Sequence, residues 1–389
     1  MAGSHSSASG PEPHGAGGVL TIDLGALKEN YGALARVCAP VKTAGVAKAD
    51  AYGLGIPHVV PALTAAGCSK FFVASSDEGL AVRDAAPEAQ IFVLNGLFSA
   101  EAAAAYAQAR LIPVLNCPAD IQIWEAFCGV SGERHPCAIN VDTGMNRLGL
   151  TAGEALAFAD ENGLTRAVRP VLVMSHLACA DEPAHPMNRR QLESFQPVVA
   201  AFADIDASLV NSAGILLGAD FRFGLTRPGI AVYGGAPQAG IRNPMRTVVT
   251  AEARIAQIRY AREGETVSYG ATMTLQRDTI IAVTSVGYAD GYHRAASGSG
   301  VALRATDAPP GHGFVAGHKV PILGRVTMDA TMFDVTDLGD GAVTRGELVE
   351  LFGPNIPIDE AASAAGTISY ELLTSLGGRY HRRYIGGAV

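Results

Sequence analysis

Thr43-Ala44-Gly45-Val46-Ala47-Lys48-Ala49-Asp50-Ala51-Tyr52-Gly53-Leu54-Gly55 is a short apolar run that ends on a lone lysine and opens onto a tyrosine and two glycines. Thr43 to Ala47 read as a strand of about five residues, which puts the Lys48 ammonium at its C-terminal end. Neighbours there can lower a lysine pKa from about 10.4 toward the working range, as a Schiff-base lysine requires. Gly53 and Gly55 let the backbone turn close to a ligand phosphate. A lone lysine at a strand end is ordinarily just solvated, so Lys48 gains meaning only from what the rest of the chain brings to the same place.

Outward from this stretch, from Val19 to about Gly235, short β-branched runs alternate with Ala-rich amphipathic stretches, the pattern of βα units around a parallel sheet. The expected strands are Thr43–Ala47, Phe71–Ala74, Ile91–Leu94, Ile112–Leu115, Ala138–Val141, Val171–Met174, Ser208–Val210 and Phe221–Thr226. That makes about eight, as a closed (β/α)8 barrel requires. Helices are expected at Leu24–Arg36, capped by Asp23, and at Ser99–Arg110 and Arg189–Phe202. After about Arg242 the texture changes to longer runs rich in Val, Ile and Thr: Thr247–Tyr260, Thr279–Val286, Val320–Leu323 and Leu348–Phe352. Helix returns near Asp359–Ala365 and Tyr370–Leu376. The chain is therefore predicted to be α/β: a flexible tail over 1–18, an N-terminal (β/α)8 TIM-type barrel over 19–242, and a C-terminal mainly-β domain over 243–389.

The 389 residues suffice for two such domains. Lys and Arg number 29 against 37 Asp and Glu, a net charge of -8, and the basic residues are scattered, which argues against a nucleic-acid partner. Cys38, Cys68, Cys117, Cys128, Cys137 and Cys179 contain no Cys-x-x-Cys pair and read as reduced core thiols of a cytoplasmic protein, with neither a zinc site nor any other metal indicated. No export signal and no apolar stretch of membrane-spanning length are visible, so a membrane is not an expected partner.

A barrel carries its active site on the loops that follow its strands. The polar residues expected there are Lys48, Asp142 with Arg147 beyond, Ser175-His176, Asn211-Ser212 and Arg227. Ser212 and Arg227-Pro228-Gly229-Ile230 fall after strands seven and eight, where such barrels commonly bind phosphate. Pro228 suits a first helical position, which would leave the Gly229 and Ile230 amides free as donors. An anion site beside a Schiff-base lysine points to pyridoxal 5'-phosphate, an aldehyde that needs both an amine and a grip on its phosphate. Arg227 is placed to meet the ring nitrogen. A guanidinium does not readily exchange a proton with that nitrogen, so the ring stays a weaker electron sink and side reactions of a long-lived carbanion are suppressed. His176 reads either as a buried histidine bonded to backbone or as a brace for Arg227.

Six segments complete the pattern: Val46 to Gly53, Asp142-Thr143-Gly144-Met145-Asn146-Arg147-Leu148-Gly149, Arg227 to Gly234, Val267-Ser268-Tyr269-Gly270-Ala271-Thr272, Val286-Gly287-Tyr288-Ala289-Asp290-Gly291-Tyr292, and Gly324-Arg325-Val326-Thr327-Met328-Asp329. In their order and spacing the chain closely resembles bacterial alanine racemase from about Val19 to its end. The resemblance implies a head-to-tail homodimer whose sites borrow residues from the other copy's C-terminal domain. It further implies Lys48 and Tyr269 as the two catalytic bases on opposite faces. Tyr52, Ser212, Gly229, Ile230 and Tyr370 would hold the cofactor phosphate, Arg227 the ring nitrogen, and Arg147 with the Met328 amide the substrate carboxylate. The implied activity is interconversion of L- and D-alanine, usually to supply D-alanine for peptidoglycan.

Two bases have their own logic, since racemisation removes a proton from one face and returns one to the other. A phenol that titrates near ~10 needs a cationic or hydrogen-bonding neighbour, such as His176, to act as a base at neutral pH. The chain departs from common family patterns at Asn140, where many members have a carbamylated lysine orienting the substrate arginine. Arg147 would then need neutral hydrogen bonds or a bound anion such as chloride. Thr327 stands where many members have a cysteine. The alternatives are a racemase of broader specificity that also accepts serine, a decarboxylase of similar fold, and a non-catalytic cofactor carrier. Arg227 argues against the decarboxylase, which favours an acidic partner at the ring nitrogen; Tyr269 and the second domain argue against the carrier.

Overall fold

A computed structural model of the chain describes residues 10–160, 168–298 and 310–387. Seven strands form a parallel sheet in chain order: Gly45–Val46, Lys70–Val73, Gln90–Val93, Leu111–Leu115, Pro136–Asn140, Arg169–Met174 and Asp206–Ser208. The eighth position is Leu225–Thr226, paired in parallel with Lys42–Thr43 just before the first strand. Its amides and carbonyls link both neighbours: Ala44 donates to the Thr226 carbonyl at 2.9 Å, and Gly224 and Arg227 donate to the carbonyls of Ala207 and Val210 at 3.0 Å each. The ring of eight is thereby closed, the (β/α)8 barrel expected.

Its core follows from the strand composition. Phe71, Phe72, Val73, Ile91, Phe92, Val93, Val114 and Leu115 are fully or almost fully buried, and Phe72 stacks on Phe92 at 4.7 Å, in line with the branched and aromatic filling of barrel interiors. The outer helices start where the sequence carries caps. Asp23 receives the Ala26 amide, and Ser99 receives Ala102 at the start of Ala100–Gln108. Ser75 and Glu78 make a reciprocal capping box for Ser76–Ala85.

The second unit is an eight-stranded, mostly antiparallel sheet. The thirteen-residue strand Val249–Ala261 is its spine, pairing with Gly18–Asp23, Leu348–Phe352 and Thr279–Thr284. Two short helices, Ile358–Ala364 and Ser369–Thr374, precede the last strand, Tyr380–Ile385.

Three expectations are corrected here. Gly18–Asp23 does not begin the barrel: it lies between Val249–Ala261, antiparallel, and Tyr380–Ile385, parallel. The β-rich unit thus comprises the described residues up to Leu27, Tyr233–Gly235 and the described residues from Met245, while the barrel unit comprises Lys28–Val232 and Ala236–Pro244. The tail expected over 1–18 is ordered wherever it is described. Arg254 donates to the carbonyls of Pro13 and Ala16 at 3.1 Å, and His381 lies 3.0 Å from that of Pro11; residues 1–9 lie outside the described residues. Composition misses such ordering because the acceptors are backbone carbonyls, which every residue carries. All six cysteines are free thiols; Cys117, expected in the core, is exposed. No helix among the described residues is long and apolar enough to cross a membrane.

Candidate active site

Lys48 follows the first barrel strand by two residues and starts a turn of unusual hand. Ala49, Asp50, Ala51 and Tyr52 have φ between 51° and 58°, a left-handed conformation that costs L-residues about 1–2 kcal/mol each. Ala51 still donates to the Ala47 carbonyl at 2.9 Å, and Gly55, at φ 93°, donates to that of Asp50. The turn brings Tyr52, only 4 % exposed, inward beside the segment after the eighth strand. Burial, then the Arg147 guanidinium, push the Lys48 amine below its usual range, against an upward pull from Glu78. Lys48 is therefore tuned toward the free amine, the form that attacks an aldehyde or takes a proton.

Arg227, 4 % exposed, is clamped on all sides. Its guanidinium donates to the Ser208 hydroxyl and to the Ser175 carbonyl at 2.6 Å, stands 3.3 Å from His176 Nδ1, and lies over the Phe72 ring at 5.7 Å. These contacts use Nη1 and Nη2. No carboxylate pairs with it among the described residues, and burial lowers its pKa to about 9, which leaves it a cation at neutral pH.

His176 faces three cations. Burial, Arg227, Arg147 and Lys48, in that order, push its pKa down to about 3. It is therefore a neutral imidazole whose Nδ1 accepts from Arg227. The contact with Arg227 supports the bracing reading; of the cationic or hydrogen-bonding role expected toward a phenol, the cationic half is corrected, because burial first and the neighbouring positive charges second disfavour protonation at neutral pH. Gln191, fully buried, fixes the local backbone, donating to the His176 carbonyl at 2.9 Å and receiving the Ala178 amide at 2.8 Å.

The segment after Arg227 is a turn and not the start of a helix, which corrects the helix N-terminus expected at Pro228. The amides of Gly229 and Ala231 donate to Ser212 Oγ at 2.9 and 3.2 Å, so one buried hydroxyl organises the loop. Among the described residues the Ile230 amide has no partner. A Cβ at Gly229 would lie 2.1 Å from the Tyr52 hydroxyl, so only glycine admits the tyrosine at that distance. The Tyr52 and Ser212 hydroxyls and the Ile230 amide form a compact donor set that suits a phosphate, and the nearby free-amine lysine suits an aldehyde.

Arg147 is exposed and, among the described residues, neither hydrogen-bonded nor ion-paired. It lies beyond Asp142, whose Oδ1 receives the amides of Gly144 and Met145 at 2.7 and 2.8 Å. Asn140 Nδ2 donates to the Leu148 carbonyl at 3.1 Å and to Asn116 Oδ1 at 2.8 Å. Asn140 thus holds the backbone next to Arg147 and leaves the guanidinium unengaged.

The remaining expected residues lie on the β-rich unit. Tyr269, 71 % exposed, sits in the turn Tyr269–Ala271 between Ser268 at φ 68° and Gly270 at φ 77°. Met328 is 53 % exposed; its carbonyl receives the Ala289 amide at 3.0 Å, and its own amide has no partner among the described residues. Tyr370 is 37 % exposed near the start of Ser369–Thr374. Sequence reasoning missed Ser208, Phe72 and Gln191, which hold the Arg227–His176 pair. Ser208 ends its strand and Phe72 lies one residue before the end of its own, a weak signal, while Gln191 lies within the helix Pro186–Ala201 and carries none. Among the described residues no cluster of His, Cys, Asp or Glu could hold a metal.

Residues 22–237 match the model of the alanine racemase N-terminal domain and residues 248–384 that of the alanine racemase C-terminal domain. The chain is 52% identical over 378 residues to an alanine racemase of Rhizobium meliloti, covering 97% of this chain and 99% of the relative. It is 53% identical over 366 residues to a biosynthetic alanine racemase of Agrobacterium fabrum, covering 94% and 93%. The crystal structure of alanine racemase from Bartonella henselae with covalently bound pyridoxal phosphate superimposes with a TM-score of 0.88 at 38% identity, covering 95% of this chain and 100% of that one. With both domain models matched in order and relatives aligned along nearly the whole length, the chain belongs to the alanine racemase family.

Proposed function

We infer that the protein is a pyridoxal 5'-phosphate-dependent isomerase that interconverts L-alanine and D-alanine, acting as a cytoplasmic homodimer that supplies D-alanine for peptidoglycan. The observation that carries the reading is Arg227, a buried cation with no carboxylate partner among the described residues. A decarboxylase benefits from an acid at the ring nitrogen; a racemase needs only a brief carbanion and benefits from suppressing other fates.

The bound cofactor supplies a ring that accepts electron density from the substrate α-carbon. In this reading Lys48 holds its aldehyde. Tyr52, Ser212, Ile230 and Tyr370 hold its phosphate, with Gly229, whose amide is engaged by Ser212, leaving room for the Tyr52 hydroxyl, and Arg227, braced by neutral His176, meets the ring nitrogen. Arg147 and the Met328 amide receive the substrate carboxylate; both are donors with capacity to spare. Lys48 and Tyr269, the latter contributed by a second copy of the chain, move protons at opposite faces of the α-carbon, exchanging roles with the direction of reaction. The 71 % exposure of Tyr269 and the neighbouring cleft of about 880 Å³, lined by Ser268, Thr327 and Met332, support its use by another subunit.

The test is incubation with L-alanine, L-serine and L-lysine in heavy water, followed by chiral chromatography and mass spectrometry. Equal amounts of D- and L-alanine carrying α-deuterium, with little change in the others, are expected. Released carbon dioxide would point to the decarboxylase, an untouched α-centre to the carrier, and comparable turnover of serine to the broader racemase.

A further inference from the structure

The left-handed turn that carries Lys48 is held at both ends by carboxylates. Four successive non-glycine residues in this conformation, Ala49 to Tyr52, are exceptional, since L-residues visit it singly. Such strain persists only where the surroundings over-determine it. At the far end the Ile56 amide donates to Asp50 Oδ1 at 2.8 Å, and the Gly55 amide donates to the Asp50 carbonyl at 2.9 Å. At the near end the Ala49 amide, next to Lys48, donates to Oε1 of Glu78 at 2.6 Å.

The other oxygen of that carboxylate is also occupied. Glu78 Oε2 receives the amides of Ala74 at 2.8 Å and Ser75 at 3.4 Å. Ala74 follows the second barrel strand, Lys70–Val73, so one side chain ties the residue after Lys48 to the end of the neighbouring strand. A helix cap needs only the Ser75 half of this arrangement; the bond to Ala49 crosses to a different element and serves no cap.

We propose that Glu78 is a positioning residue for racemisation: by bridging the Ala49 and Ala74 amides its carboxylate locks the left-handed turn and fixes where Lys48 Nζ stands at the barrel rim. The proposal rests on the reading of Lys48 as the catalytic lysine. Glu78 acts through the backbone, beside the upward pull of its charge on the Lys48 amine, and needs no contact with substrate. A glutamine retains the shape and the capping ability, but its amide nitrogen cannot accept, so one of the two bridged amides loses its partner.

The experiment compares Glu78→Gln, Glu78→Ala, Ser75→Ala and Lys48→Ala as purified holoenzymes. It reads kcat and KM for L-alanine, and hydrogen exchange of the segment 46–55 by mass spectrometry. Both Glu78 variants are expected to lower kcat by about 10- to 100-fold, to leave KM within about threefold, and to accelerate exchange in that segment. Ser75→Ala, which removes the other half of the capping box and spares the bridge, is expected to keep kcat within about twofold. Wild-type kcat or unchanged exchange in Glu78→Gln overturns the proposal, as does a kcat loss in Ser75→Ala equal to that in Glu78→Gln. Activity surviving in Lys48→Ala would instead sink the reading of the lysine; an inactive Lys48→Ala beside a fully active Glu78→Gln sinks the role of Glu78 alone.

Discussion

The barrel unit and the β-rich unit carry their site residues in opposite ways. In the barrel, Arg227 is held by a hydroxyl, a carbonyl, an imidazole and a ring face, and Ser212 by two amides. In the β-rich unit Tyr269 and Met328 are 71 % and 53 % exposed, on a surface turn and a loop. The barrel is thus prepared to grip a fixed cofactor, and donors already in place cost nothing to reorganise when charge develops. The β-rich unit presents its groups open to solvent. Preorganisation belongs to one region, and in the proposed reading proton transfer is shared between both.

The sharpest way to break this contrast is to disable each region in turn. On the proposed roles, Lys48→Ala removes both the aldehyde anchor and one base and should lower kcat by about 10⁴-fold or more, with loss of the visible absorbance of lysine-bound cofactor. Tyr269→Phe should lower kcat in both directions by about 10²–10⁴-fold while that absorbance persists. If the tyrosine variant stayed active, proton transfer would reside in the barrel alone.

Mixing the two inactive variants under subunit exchange sharpens the point. Half of random dimers are mixed, and each mixed dimer has one intact site, so about a quarter of wild-type activity should return. No recovery would mean that the site is not built from two copies.

A more modest effect is expected from Gly229→Ala. Its Cβ would displace the Tyr52 hydroxyl, and the buried Tyr52 ring has little room to retreat. Cofactor affinity, followed by titrating the stripped variant, should fall about tenfold or more, roughly 1.4 kcal/mol. Wild-type affinity would show the phosphate grip to be looser than the barrel geometry suggests.

The smallest effect concerns His176, whose folded-state pKa of about 3 lies below its ordinary 6.5. Between those values the unfolded chain binds a proton that the folded chain refuses, so stability present above 6.5 is lost as pH falls through the window. The sensitivity is about 1.4 kcal/mol per pH unit. In urea unfolding, His176→Gln should weaken the fall in stability between about pH 6 and 4 by that slope. An equal fall in wild type and variant would mean that His176 protonates freely in the folded barrel.

Much of this was legible in the chain. The strand runs were visible because barrel strands are buried on both faces and read as continuous apolar stretches, such as Phe71-Phe72-Val73 and Ile91-Phe92-Val93. The barrel rule then converted strand ends into site residues, so Lys48, Arg147, His176, Ser212 and Arg227 stood out before any coordinates. The left-handed turn did not: Ala49, Asp50 and Ala51 are not residues that advertise positive φ, and the turn owes its form to the Ala47, Asp50 and Glu78 oxygens that receive its amides. Nor did the loop at Pro228, where local propensity favours a helix and Ser212, distant in sequence, draws the amides into a turn.

The sequence by itself determined the order of elements, the closure of eight strands, the second β-rich unit and the chemical types gathered at the rim, because periodicity and strand-end polarity are local properties of the chain. Only the tertiary structure decided that Gly18–Asp23 belongs to the β sheet, that His176 is neutral, and that Ser208, Phe72 and Gln191 hold the central pair. Each of those depends on which partner lies across space. Backbone amides and carbonyls, the same at every residue, and the electrostatic field of charges brought together by folding leave no mark in the sequence.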